Sequence, residues 1–201
     1  MDPDFFNILS QQQDISNKII IGLERISEAF KSLLRDHAKT IGLSPIQIQI
    51  LIFIAYHKED LCKVSYLANE FNVTKPTISD AVKILEKKEM IFKTKASADS
   101  RSYYISLTDT GKKAVLETES FATPIKKQLS NFNLEEQESL LKTITTLIFK
   151  LNQTGILTIQ RTCYNCKFYE KSKSNHYCNL MQTALRDTEI RLDCPEFQKL
   201  N

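Results

Sequence analysis

Apolar residues recur at three-to-four spacing through "DISNKIIIGLERISEAFKSLLRDHAK" (14–39). Ile19, Leu23, Ile26, Phe30 and the Leu33/Leu34 pair share one face, and charges take the other. That period predicts one long amphipathic helix. The next stretch, "GLSPIQIQILIFIAYHK", is apolar on most sides, and Ser44, Pro45 and Gln47 offer an N-cap, a first-turn proline and a capping-box partner. A second helix, buried, is expected there. "CKVSYLANEFNVTKPTISDAVKILEKKEMI" divides into two short helices. Val64 reads as an extended lead-in, Ser65 as the cap of a helix through Phe71, and "FNV" as a turn. Thr74 then caps a helix reaching about Lys88, with Pro76 tolerated in its first turn.

The period then changes. "IFKTKAS" and "RSYYISLT" are rich in β-branched and aromatic residues and are joined by the polar "ASADSRS", which predicts a β-hairpin. "TDTGKKAVLETESFATPIKKQLSNF" returns to helix, with a kink or break near Pro124. "NLEEQESLLKTITTLIFKLNQTG" opens on an Asn133 to Glu136 capping box and aligns Leu134, Leu141, Ile144, Ile148 and Leu151 before Gly155 stops it. Residues 153–162 read as a linker that spans at most about 33–36 Å when extended.

At 201 residues the chain has room for one ordinary domain with an appendage, or for two small ones. Four Gly and five Pro leave little room for an all-β fold. The start of the chain lacks a basic region followed by an apolar one, and the longest apolar run, "IQIQILIFIAY", is interrupted by Gln47 and Gln49. Neither a signal peptide nor a membrane span is expected, and the expected setting is cytoplasmic and reducing. A net charge of +3 says little about nucleic acid, but the Cys62–Lys113 stretch holds ten Lys and Arg against six Asp and Glu.

Helix, turn, helix and basic hairpin is the order of a winged helix-turn-helix, here with long helices on either side of it. The fold class is mainly α with a small β-hairpin wing. A helix entering the major groove presents its N-terminal residues to bases and phosphates. Thr74, Lys75, Thr77 and Ser79 lie at such an N-terminus, and Lys83 follows one turn on. Asp80 is unfavourable near phosphate unless it pairs with Lys83. In the hairpin, Lys93, Lys95 and Arg101 can neutralise phosphate or enter a minor groove. Ser65 joins the candidate DNA-binding set.

The order of elements, "LANEFNVTKPTISDAVKILEKKEMI" and above all "DSRSYYISLTDTGKK" resemble the MarR family of bacterial transcription regulators. The resemblance rests on Asp99-Ser100-Arg101 followed by Leu107-Thr108-Asp109-Thr110-Gly111, and covers roughly residues 14–152. It implies a homodimer knitted by the first and last helices of the domain, binding a palindromic operator in double-stranded DNA, usually as a repressor. It further implies that Arg101 reaches the minor groove while Asp99 holds it, and that a small aromatic effector is a possible partner.

Residues 153–201 depart from that pattern. Cys163-x2-Cys166-x11-Cys178-x15-Cys194 concentrates four thiols in the tail, while the rest of the chain holds only Cys62. In a reducing setting such a cluster favours a metal over disulfides. Four thiolates suit Zn²⁺ or an iron–sulfur cluster, with zinc narrowly preferred, and reactive thiols are a third reading. His176 is a spare ligand or, more simply, an exposed polar residue. Phe168, Tyr169, Leu180, Met181, Leu185, Ile190, Leu192 and Phe197 give the module a small core. Cys62 reads as an ordinary core residue. There is no catalytic constellation. The rival readings are a redox or iron–sulfur metalloprotein whose winged helix docks a protein, and an enzyme using the cluster as its cofactor.

Overall fold

The apolar segment after Ser44 becomes the centre of the molecule. In the computed structural model, which describes residues 7, 14–95, 103–172 and 175–199, helix α2 (Pro45–Tyr56) carries Ile48, Ile50 and Leu51 wholly shielded from solvent. Its start follows the capping expectation: the Ser44 N–H donates to Gln47 Oε1 at 2.8 Å. Helix α1 (Ile15–Thr40) precedes it, capped by Asp14, and the two are joined through Gly42, whose φ of +64° suits glycine. Only the C-terminal part of α1 meets this core, through Leu34 and Ala38; Ile15 and Ile26 are 73% and 62% exposed.

Helices α3 (Val64–Glu70) and α4 (Lys75–Lys87) form the expected pair. The first starts earlier than the sequence suggests. Val64 is its first residue and Lys63 stands at the N-cap, so Ser65 is an exposed helical residue and not a cap. Val64 packs against the core from that position, which an extended lead-in would forgo. The turn runs through Asn72 at φ +52°, a left-handed conformation that Asn tolerates. Ile78, Val82 and Leu85 fasten α4 to the core, each at 0% exposure.

Strands β1 (Ile91–Lys95) and β2 (Tyr103–Leu107) pair antiparallel, with Ile91 opposite Leu107 and Lys95 opposite Tyr103. The hairpin is tied to the body by the Ile105 N–H donating to the Cys62 carbonyl at 2.9 Å. The Leu107–Gly111 motif is a joint. Thr108 Oγ1 donates to the Glu89 carbonyl at 2.6 Å and accepts from Gly111 N at 3.1 Å, capping α5 (Asp109–Thr118). A Cβ on Gly111 would stand 2.0 Å from the Met90 carbonyl oxygen, so only glycine allows α5 this close to the wing.

The break expected near Pro124 is a full one. Helix α5 ends at Thr118 and α6 (Thr123–Leu129) begins with the proline in its first turn, where its missing N–H is no loss. Helix α7 (Leu134–Gln153) opens on the Asn133–Glu136 capping box, both bonds at 2.9 Å. Gly155, at φ +78°, ends it.

The expected linker is a strap. Thr158 Oγ1 donates to the Asn69 carbonyl on α3 at 2.7 Å, and Arg161 and Thr162 are buried. Beyond it lies a 3-10 turn (Cys163–Asn165) and an antiparallel sheet in the order β3 (Tyr169–Ser172), β4 (Asn175–Cys178), β5 (Thr183–Leu185). Cys166 bridges to Lys199 and closes the module. Among the described residues no single helix is long and apolar enough to cross a membrane.

Candidate functional site

The candidate recognition face is the outer side of α4. Thr74 Oγ1 accepts from Thr77 N at 3.3 Å and shares a 2.8 Å hydrogen bond with Thr77 Oγ1, which fixes both hydroxyls at the helix start. Thr74, Lys75, Thr77 and Lys83 are exposed and Ser79 is half-buried, so four of the predicted DNA contacts at this helix are open to solvent. Asp80 is neutralised as the sequence required: Lys83 Nζ lies 2.9 Å from its carboxylate. Ser65 is exposed on α3. The wing divides. Lys95 is exposed, whereas Lys93 folds back onto α4, paired with Glu86 and lying 5.0 Å over the Tyr103 ring. Its charge is spent within the protein, which makes it a weaker phosphate contact than its place in the hairpin suggests. Asp99 and Arg101 lie outside the described residues.

A second constellation joins the tail to the helix-turn-helix lobe. Arg161, with 8% of its side chain exposed, donates to Glu70 of α3 at 2.7 and 3.1 Å and to Asp193 at 2.6 and 3.0 Å. It also donates to the Tyr66 hydroxyl at 2.9 Å and lies 5.4 Å over the Phe53 ring. His57 stacks on Phe53 with centroids 3.7 Å apart, and its Nε2 lies 2.8 Å from Asp193. Burial lowers the Arg161 pKa, but the carboxylates of Asp193 and Glu70 outweigh it and hold the guanidinium more firmly protonated than usual. Asp193 is opposed by burial yet is carried well below the ordinary carboxylate range by His57 and Arg161. Every charge here has a partner, as burial demands. The sequence gives little warning of this node: its clue is a single charge inside the otherwise uncharged "GILTIQRT".

The four tail cysteines are free and line one cavity of about 40 Å³. Phe168, Leu180, Met181 and Leu185 form its apolar wall. Arg191 N donates to Cys163 Sγ at 3.3 Å and its guanidinium reaches Cys194 Sγ at 3.7 Å, so the sulfurs face N–H donors of the kind thiolates accept. Burial raises the Cys163 thiol pKa, which the Arg191 N–H partly offsets and the three other cysteines reinforce. A Zn²⁺ ion about 2.3 Å from each of four sulfurs fills the space between them. Here the sulfurs border a cavity larger than the roughly 10–15 Å³ that one water needs. Among the described residues no group of three or more His, Cys, Asp or Glu is arranged to hold a single ion as it stands. Four thiols around one cavity, two of them facing N–H donors, are a donor set that suits a thiolate-ligated centre.

His176 is not exposed as expected, and both of its ring nitrogens are hydrogen-bonded. It is buried in β4, hydrogen-bonded to the Tyr169 hydroxyl through Nδ1 and to Asp187 at 2.8 Å through Nε2, while Lys142 of α7 meets the same carboxylate at 2.8 Å. This network, with Asn165 donating to Asn152 at 2.8 Å, seats the module on α7. Cys62 is a core residue, 1% exposed, its thiol pushed up to about 11 mainly by burial.

Residues 41–102 match the family model described as "MarR family". Among solved structures, the chain is similar to the Staphylococcus aureus MepR–DNA complex, at 25% identity and a TM-score of 0.56, covering 64% of this chain and 94% of that one. It is also similar in fold to MepR described as a transcription regulator of the S. aureus multidrug efflux pump MepA, at 24% identity and a TM-score of 0.51, covering 64% and 95%. A MarR protein from Peptoclostridium difficile gives 24% identity and a TM-score of 0.56, covering 68% and 86%. No curated protein matched. About a third of this chain has no counterpart in the MepR–DNA complex, whose own protein chain is almost wholly covered.

Proposed function

We propose that the chain is a MarR-type transcription regulator that binds a palindromic operator in double-stranded DNA as a homodimer, acting in the cytoplasm as a repressor. The observation that carries this reading is the exposed N-terminal face of α4, where Thr74, Lys75, Thr77 and Lys83 lie together on a segment that matches the MarR family. Short donors and cations at a helix N-terminus suit phosphate and base edges. The DNA complex of the similar MepR supports the same use of the fold.

The homodimer is supported by apolar surface left over on both flanking helices. Ile15, Ile19 and Ile26 of α1 and Leu134, Leu140 and Ile144 of α7 are exposed in the single chain. A row of this kind on two long helices is what a helical dimer interface buries. The C-terminal module adds a metal centre built on Cys163, Cys166, Cys178 and Cys194, which is either structural or sensory.

Two measurements test the proposal together. Sedimentation equilibrium is expected to give twice the chain mass, and footprinting on the DNA upstream of its own gene two protected half-sites on one face of the duplex, about one helical turn apart. A monomer, or protection without two-fold symmetry, contradicts it.

A further inference from the structure

We infer that the four cysteines bind an iron–sulfur cluster whose presence is read by the helix-turn-helix through Arg161. The inference deepens the regulator reading and rests on it for its consequence at DNA, though not for its consequence within the protein.

The connection is short and continuous. Arg161 stands two residues before Cys163, and Asp193 one residue before Cys194. The two strands of chain are cross-linked beside the thiols: Cys163 N donates to the Arg191 carbonyl at 3.1 Å, and Cys194 N to the Arg161 carbonyl at 3.0 Å. From this crossing the Arg161 guanidinium leaves the module and grips Glu70 and Tyr66 of α3, while Asp193 grips His57 at the end of α2. Lys58 adds a surface pair with Glu196 at 3.0 Å. On its other side the module is anchored to α7 by Lys142–Asp187 and Asn152–Asn165. A centre that draws Cys163 and Cys194 together therefore fixes the 161–163 and 191–194 segments, and with them the spacing between α7 and α3.

The choice of a cluster over a single ion follows from the cavity. Four thiols, an apolar wall and two Arg191 N–H contacts surround more space than one ion occupies, and cysteine thiolates with N–H donors to sulfur are the usual surroundings of iron–sulfur clusters. None of the four cysteines is in a disulfide, so without the cluster the crossing rests on its two backbone hydrogen bonds and the Arg191 contacts. The module's few small strands then carry too little core to hold the crossing, and the Arg161 clamp on α3 loosens. A clamped helix pair is pre-organised for DNA and a loosened one is not.

The test uses the full chain, purified without air, and the same protein stripped with a chelator under the same conditions. The loaded sample should be brown, with iron and acid-labile sulfide present. It should bind a labelled duplex from upstream of its own gene about tenfold more tightly than the stripped sample. Amides of Val64–Glu70 should exchange faster after stripping. Glu70→Gln, which keeps the thiols, should keep the iron and lose the difference between the two samples. Zinc without iron overturns the cluster. Equal amide exchange, or equal or tighter DNA binding by the stripped form, overturns the coupling. If neither form binds DNA while amide exchange still responds, the regulator reading falls and the internal coupling stands.

Discussion

Arg161 and Glu70, ninety-one positions apart, meet in a two-pronged ion pair with N–O distances of 2.7 and 3.1 Å. One end belongs to the strap that leads into the cysteine module and the other to the first helix of the helix-turn-helix pair. The pair makes the tail part of the winged-helix body and not a pendant.

Replacing Arg161 with methionine leaves Glu70 and Asp193 without their common partner. The variant is expected to lose about 2–4 kcal/mol, below the full cost of breaking a buried pair because Asp193 is half exposed. Urea unfolding measures the loss, and wild-type stability in the variant removes the node from this account.

Lys75 and Lys93 should differ as DNA contacts, although both are lysines in the expected interface. Lys75→Ala should lower the slope of log affinity against log salt by about 1. Lys93→Ala should change it much less, because Glu86 already neutralises that charge. Equal changes in the two salt titrations would show that Lys93 leaves Glu86 for phosphate.

Gly111→Ala tests the joint between wing and body. The new methyl would meet the Met90 carbonyl oxygen at 2.0 Å, a backbone atom that cannot swing aside. A loss of about 2–3 kcal/mol in thermal or chemical unfolding is expected. A variant as stable as the parent would mean that α5 and the hairpin shift apart freely.

Acid should loosen the module from α7. Asp187 is held below the ordinary aspartate value of 3.8, first by Lys142 and then by His176. A depressed carboxylate stabilises the fold above its unfolded pKa, and that contribution is lost as pH falls through the lower folded value. Asp187→Asn should therefore be less stable than the parent at neutral pH, and the difference should close as pH falls below 3.8. A gap that persists unchanged in acid assigns the effect to packing.

The winged helix was legible because each of its elements is signalled locally. Thr74, Asn133 and Gln47 announce helix starts, Pro124 a helix restart, and the Leu107–Gly111 run a capped joint whose glycine has a steric reason. Ser65 misled because a capping residue type one position inside a helix looks the same in sequence as a cap. Lys93 was read as free because its partner Glu86 lies seven residues away across a turn. The cysteines announced themselves, but Arg161, Asp193, His57 and Glu70 did not. Their meeting depends on how a strap folds back over a helix, which neither period nor spacing encodes. His176 was misjudged for the same reason, since its burial is conferred by α7 and by Asp187.

The most direct measurement of the central claim is a fluorescence-anisotropy titration of the purified chain against duplex DNA from upstream of its own gene, repeated across salt concentrations. The account predicts saturable binding, at least about a thousandfold tighter than to unrelated duplex, with affinity falling steeply as salt rises. Binding no tighter than to unrelated DNA, even at low salt, would contradict it.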